Sequence, residues 1–351
     1  MANVVYGQMG GTRDPLFGKF EHKIKAFIEN ESNICEQEKT ILDTLFNVET
    51  SNSYSEAYTG ETGFDTFMSM DEGQSVENDS VVKTFDKVFT HHQFGKSFHI
   101  TRQMADDAKI GMGAAMTSKP KAFARAFYRT RVKAAEMALA NATSRSMIFN
   151  RAEFDLTAAD GKPLFSIDHP YADAKYKSRK QSNAFDWRKL HDDAYSYKPD
   201  IFAEGLELLS GKFRNFRDEN GDAMGYVPDT IILPCNRAGL ENVVKKTCGS
   251  ERVVGSGNND INTQYGNWNV VVLNNWETSD DRFMIMSKAA NEQLNGNMFF
   301  NRVNLEVRSW VDNNTFNYMW SGYARFGLGF NAWKHMALCV CDDGDTYSAL
   351  S

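Results

Sequence analysis

Within DGKPLFSIDHPY (Asp160–Tyr171) a serine, two aspartates and a histidine stand close together in the chain. These are the residue types of a hydrolytic triad, in which a base must reach the nucleophile's proton directly. The spacing argues against that chemistry. Pro163-Leu164-Phe165 predicts the start of a strand, so Ser166 and Asp168 share one face and His169 points to the other. Ser166 also lacks the Gly-x-Ser-x-Gly turn that lifts a nucleophile off a sheet. Asp160-Gly161 is a turn pair that tolerates positive φ, and His169-Pro170 reads as the close of a hairpin. The stretch is expected to be turn and strand edge. A soluble hydrolase using His169 or His191 is the most remote reading of the chain.

The other candidates for chemistry read as structure too. His91-His92 would need a bulge to chelate one ion, because adjacent strand residues face opposite sides. An exposed or interface pair is expected there. Asp106-Asp107 diverge by about 100° on a helix, which predicts a solvated or salt-bridged face. GSGNND (Gly255–Asp260) has neither the Lys-Ser/Thr of a P-loop nor the Gly-x-Gly-x-x-Gly pattern. The basic run Lys175–Lys180 reads as a solvated loop. Cys35, Cys235, Cys248, Cys339 and Cys341 form an odd set with no Cys-x-x-Cys, which predicts free thiols. No catalytic, cofactor-binding or metal-ligating residue is expected, and no cofactor.

A net charge of −7 argues against a protein whose task is to grip nucleic-acid phosphates. No apolar run approaches the ~20 residues of a membrane span, and no membrane partner is expected. The first residues show no basic-then-apolar secretion pattern. A hydrophobic fraction of 42% in 351 residues is enough to bury one large core or two modest ones.

What must position these residues is a series of elements. Residues 1–13 read as a polar, glycine-rich mobile arm. Asp14-Pro15 predicts a capped helix start, followed by an apolar stripe at Phe17, Phe20, Ile24, Phe27 and Ile28. A second helix is predicted over Glu36–Phe46. Both need another surface to lie on. From Ser51 to Ile100 the pattern predicts a long two-stranded excursion with its tip near Asp71–Ser80, and with Phe85, Lys87 and Phe89 on one face. Such a hairpin is marginal alone. Thr101 caps a short helix ending at Gly111. Thr117–Pro120 then opens a long helix over Ala122–Ala142, with Phe123, Phe127, Ala134 and Ala138 inward. Residues 150–285 read as a mixed lobe with helices at Asp200–Phe213 and Ala238–Lys246 and strands at Pro228–Leu233 and Trp268–Leu273. The end is strand-rich, with a hairpin turn at Asp312-Asn313-Asn314.

Five stretches in this order carry a family resemblance: Thr59–Gly73, Lys87–Ala108, Asp160–Pro170, Asn259–Val272 and Gly322–Trp333. The chain resembles the major capsid proteins of tailed phages of the Hong Kong 97 type, and most of all the major head subunits of Mu-like phages. The resemblance implies an α+β capsid fold. Its parts would be an N-arm (1–55), an extended E-loop (56–100), a P-domain with the long spine helix (101–149), an A-domain (150–295), and further P-domain strands with the C-terminus (296–351).

It implies a structural protein, not an enzyme. Its main partner would be itself, in hexamers and pentamers of an icosahedral shell around double-stranded DNA, without sequence-specific binding. Portal, scaffold and decoration proteins are the further partners implied. The implied location is the virion, after assembly in the host bacterial cytoplasm. The E-loop would lie on a neighbour's P-domain, and the assembly contacts would be Phe85, Lys87, Phe89 and His91 of the E-loop and Asp312, Asn313 and Asn314 of the P-domain tip. Phe17, Phe20, Ile24 and Phe27 would pack the N-arm. The subunit is expected to be uncleaved. It is also expected to lack a Lys-to-Asn weld between subunits, because no carboxylate base accompanies Lys83 or Lys87 and Asn313 or Asn314. An encapsulin-like shell around protein cargo is the alternative.

Overall fold

The computed structural model describes residues 5–8, 15–37, 41–61, 64, 67–76, 78, 83–107, 114–171, 179–253 and 260–341, with backbone alone for 5–8, 15–20, 37, 61, 114 and 115. In chain order the elements are β1 (Val5–Gln8), α1 (Pro15–Gln37), α2 (Ile41–Leu45), β2 (Asn47–Thr50), β3 (Ser55–Glu61), β4 (Lys83–Thr90) and β5 (His92–Ile100). Then come α3 (Arg102–Asp107), α4 (Ala114–Ala140), β6 (Ser146–Phe149), β7 (Ala152–Asp155), β8 (His169–Pro170), β9 (Lys180–Gln181), β10 (Ala184–Asp186) and α5 (Trp187–Leu190). The rest are α6 (Pro199–Arg214), β11 (Thr230–Pro234), α7 (Ala238–Gly249), β12 (Asn269–Leu273), β13 (Arg282–Met286), α8 (Lys288–Gln293), β14 (Asn297–Val311), β15 (Tyr318–Phe330) and β16 (Met336–Val340). The chain divides into two compact units, one of Met1–Ser55, Thr90–Ala135 and Phe299–Leu328, the other of Glu56–Phe89, Glu136–Met298 and Gly329–Ser351.

The first unit is built on a five-stranded sheet in the order β1-β14-β15-β5, with β2 also paired to β14. Helices α1 and α4 supply the other side of its core. Ile24 and Ile28 of α1 join Met116, Phe123 and Ala124 of α4 and Ile100, Leu305, Val307, Tyr318 and Trp320 of the strands. Phe98 stacks on Trp320 at 5.2 Å and meets Phe123 at 5.1 Å, and Phe94 stacks on Phe326 at 4.3 Å. Gly322 makes this packing possible, since a Cβ there would lie 2.5 Å from the Phe123 ring.

Several sequence expectations change here. The supposed arm contains β1, a parallel partner of β14 with Val5 opposite Glu306. Helix α1 runs on to Gln37, and the second helix shrinks to Ile41–Leu45. The buried face of α1 continues through Glu31, Ser32 and Cys35. Glu31 is paired with Arg125, so a charged residue occupies a place where a hydrophobic pattern expects an apolar one. Residues His92–Ile100 leave the excursion and pair antiparallel with β15. The cap on α3 is as expected, with Met104 N–H donating to Thr101 Oγ1 at 3.3 Å. Arg102 and Asp106 form an i,i+4 ion pair on it. Helix α4 starts earlier than expected, at Ala114, which leaves Pro120 inside it.

The second unit holds a five-stranded sheet in the order β10-β16-β13-β11-β12. Strands β11 and β12 are parallel, and β13 runs antiparallel to both β11 and β16. Every residue of β11 and β16 is buried. Both read as unbroken apolar runs because both faces of these central strands are covered. The sequence reading placed Met336–Val340 with the other C-terminal strands, but β16 lies in this sheet between β10 and β13. Helices α6 and α7 bury Phe202, Leu206, Leu209, Leu240 and Val244. The excursion in this unit is the β3–β4 pair.

Candidate assembly surfaces and the His169 network

The segment after Gly161 is a loop, not a strand, with Gly161 at φ +75° and one bridge between Thr157 and Pro163. Side chains hold it. Asp160 Oδ1 accepts from Lys162 N–H at 3.0 Å, and its Oδ2 lies 2.6 Å from His169 Nδ1. His169 Nε2 lies 3.1 Å from Asn183 Oδ1, and the ring stacks on Trp333 at 4.2 Å. Ser166 Oγ donates to Asp168 Oδ1 at 2.8 Å. The hydrogen bond from Lys162, opposed by burial and joined by Ser166 and Lys180, holds the Asp168 pKa at about 2. Both nitrogens of His169 are thus engaged elsewhere, and neither serves Ser166. His169-Pro170 does pair with Lys180-Gln181 as a short antiparallel ladder. His191 sits between Glu204, 3.3 Å from Nε2, and Asp193, whose N–H donates to Nδ1 at 2.9 Å.

The expected assembly contacts separate into two groups. Lys87, Phe89 and His91 are buried within the chain, so their side chains offer no surface to a neighbour. Lys87 Nζ donates to Asp155 Oδ2 at 2.6 Å and Thr157 Oγ1 at 3.1 Å. Burial alone would raise the Asp155 pKa, but the Lys87 and Thr157 hydrogen bonds outweigh it and hold it low. Phe89 meets Tyr58 edge-on at 5.9 Å. His91, expected to be exposed or at an interface, has Nε2 3.0 Å from Ser51 Oγ and meets the edge of Phe300. The alternation was read correctly, but the apolar face of β4 turns toward its own chain. Phe85 is half-buried.

The surfaces that are exposed lie elsewhere. Between β3 and β4, Phe67 is fully exposed, and Phe64, Met68 and Val76 are at 72%, 70% and 76%. The β14–β15 turn is ordered by Asp312, which accepts from Asn314 N–H at 3.2 Å and Thr315 Oγ1 at 2.5 Å. The Thr315 and Asn314 hydrogen bonds hold the Asp312 carboxyl below its ordinary pKa. Asn313 and Asn314 are exposed, as is Phe316, which adopts φ +57°. In the N-terminal helix Ile24 is buried and Phe27 half-buried with Lys121 Nζ 5.9 Å from its ring centre, while the side chains of Phe17 and Phe20 lie outside the described residues. Most of the Lys175–Lys180 run and of GSGNND also lies outside them.

None of the five cysteines is in a disulfide, and four of them are buried. Among the described residues no group of three or more His, Cys, Asp or Glu could hold a metal, and no helix is long and apolar enough to cross a membrane.

No family model matches the sequence, and no curated protein is detectably similar to it. The likeness is in the fold, and the α+β fold is the one found in phage capsid structures. A chain from the capsid structure of the cyanophage P-SCSP1u matches with a TM-score of 0.51 at 10% identity, over 87% of this chain and 89% of that one. A chain from a structure of Mycobacterium phage Patience matches with a TM-score of 0.50 at 14% identity, over 97% and 93%.

Proposed function

We propose that the chain is the major capsid subunit of a tailed phage, of the Hong Kong 97 type and Mu-like. In this reading it self-assembles through hexamers and pentamers into the icosahedral shell that encloses double-stranded DNA. The observation that carries the reading is the fold likeness to a phage capsid chain, which extends over 87% of this chain and 89% of that one. A physical argument supports it. The β3–β4 excursion presents Phe64, Phe67, Met68, Met70 and Val76 to solvent, a cluster that a lone soluble protein has reason to cover. Residues 56–90 then serve as the E-loop and rest on a neighbouring copy. Head-to-tail contacts of this kind close into rings. Portal, scaffold and decoration proteins complete the particle, and the Asp312–Asn314 turn is a tip that meets other subunits.

Lys87 is committed to Asp155 and Thr157, so a covalent weld would have only Lys83 to use, and the subunits are read as unwelded. Size-exclusion chromatography and negative-stain imaging of the purified chain test the proposal. Megadalton shells or ring-shaped capsomers are expected. A compact monomer at every concentration overturns it. Shells that enclose a protein instead of DNA in the native host would transfer the reading to an encapsulin-like compartment.

A further inference from the structure

Between Asp107 and Glu136 the chain has seven Lys and Arg residues and no Asp or Glu, in a protein whose net charge is −7. Most of this stretch is α4. From Lys121 to the end of that helix the exposed residues are Lys121, Ala122, Arg125, Arg129 and Lys133, so all but Ala122 are cations. The four cations follow one another at i, i+4 spacing. That sets them along a single ribbon of the helix surface, about 6 Å apart and about 18 Å from end to end. Like charges at this spacing destabilise a helix, so the ribbon works against the isolated fold. Packing against α1 steadies two of the four. Arg125 pairs with the buried Glu31, yet its side chain stays 61% exposed. Lys121 Nζ lies 5.9 Å from the centre of the Phe27 ring. Among the described residues no carboxylate pairs with Lys121, Arg129 or Lys133.

We infer that this ribbon binds the phosphate backbone of a duplex nucleic acid laid along α4. The chemistry of the ribbon selects that partner. A protein partner would ask for large apolar or aromatic anchors at the centre of the contact. The ribbon offers none, since Ala122 is the exposed apolar residue beside it and Phe123 is buried. A phosphate backbone asks for cations and close approach, and duplex DNA presents one negative charge per ~1.7 Å of its axis. The negative charge of the whole protein does not oppose this at short range. Salt screens charges beyond about 10 Å at 0.1 M, so the nearby ribbon dominates what a phosphate meets. Contacts confined to phosphates read no base sequence. The inference rests on the shell reading for the source of the nucleic acid, which is then the packaged DNA, while the contact itself is tested without a shell.

Lys121→Gln, Arg129→Gln and Lys133→Gln together make the test variant. Arg125 stays, because removing it would leave Glu31 buried without its partner. The three side chains are exposed, so Tm should remain within ~2 °C of wild type. Binding of both chains to a labelled duplex DNA of random sequence is followed by fluorescence anisotropy from 50 to 200 mM salt. Each phosphate contact contributes about −0.9 to the slope of log K against log salt, so the wild type should be steeper than the variant by about 2.7. Its affinity should then fall roughly 40-fold more across that range. A slope difference below about 1 overturns the inference. Poly-glutamate of equal charge that binds the wild type as tightly as the duplex also overturns it, by making an acidic protein segment the partner. Particle yield by negative stain is a separate readout, and the variant is expected to assemble as the wild type does. A variant that melts normally but fails to assemble overturns the inference, by making the ribbon a contact between copies. If neither chain assembles while the slopes differ as expected, the shell reading falls and the ribbon stands as a nucleic-acid site.

Discussion

His169 is held between two oxygens, and the identity of one is fixed by its own bonds. Asn183 Nδ2 donates to the carbonyls of Leu164, Met336 and Trp333 at 2.7, 3.2 and 3.4 Å, so its Oδ1 is the atom that faces His169 and accepts from Ser166 N–H. His169→Ala would take the ring nitrogen from Asp160 Oδ2, leaving the buried carboxylate only its bond from Lys162 N–H, and strip the ring from Trp333. Breaking a buried pair on one side costs about 3–5 kcal/mol, and thermal denaturation should show Tm lowered by roughly 6–12 °C. A change under 2 °C would show that the network is not structural. The neighbouring Asp168 gives a pH signature. Its folded pKa of about 2 lies below its ordinary value of 3.8, so its contribution is complete above about pH 4 and is lost as pH falls toward 2. Urea midpoints measured from pH 5 to pH 2 should fall, and Asp168→Asn should make that fall shallower.

At the scale of elements, Pro120 is the anomaly. It lies six residues beyond the first residue of α4, past the four positions whose N–H groups lack helical partners, so it removes one backbone hydrogen bond from the helix. Pro120→Ala should restore that bond and raise stability by up to ~3 kcal/mol in urea titration. A loss of stability would mean that the packing of the buried ring outweighs the missing bond. The sequence misplaced this helix start because Thr117-Ser118-Lys119-Pro120 carries the residues of a cap. In the fold the helix begins one turn earlier, and the proline is accommodated within it.

Other elements were legible to different degrees. The stripe Ile24, Phe27, Ile28 announces α1, but its continuation is Glu31 and Ser32, and only a partner distant in sequence, Arg125, explains why Glu31 is inside. Met336–Val340 is plainly a buried strand. Its place between β10 and β13 is a non-local choice that no local pattern records. PLFSID alternates like a strand, yet its polar positions are spaced for side-chain hydrogen bonds, and a loop results. The excursion was visible in its glycines and its alternation at Phe85, Lys87 and Phe89, but the reading carried it on to Ile100, and His92–Ile100 pair with β15 instead. The partner of the alternating face was not visible. Its Lys87 finds Asp155 and Thr157, sixty-eight and seventy residues away.

For the whole molecule, the decisive quantity is apolar surface left uncovered. Folding a chain of this size leaves scattered apolar atoms outside as a matter of geometry, so an exposed Leu208 or Ile261 alone asks for no explanation. The loop between β3 and β4 differs because five large apolar side chains lie within thirteen residues of one another. Replacing Phe64, Phe67, Met68, Met70 and Val76 with serine separates folding from assembly. Those side chains contribute almost nothing to the isolated fold, so Tm of the unassembled chain should stay within ~2 °C of wild type. In a shell, burying even half of their surface is worth about 3–7 kcal/mol per subunit. Part of that offsets the cost of ordering the loop and immobilising the subunit. A net loss of about 3 kcal/mol raises the concentration needed for assembly at least ~100-fold. Light scattering across a concentration series reads this directly. Assembly at the wild-type threshold would show that the loop is not what joins the copies. A collapse of Tm would show instead that the loop is part of the fold of a single chain, and either result removes the physical basis for a subunit that is complete only beside its neighbours.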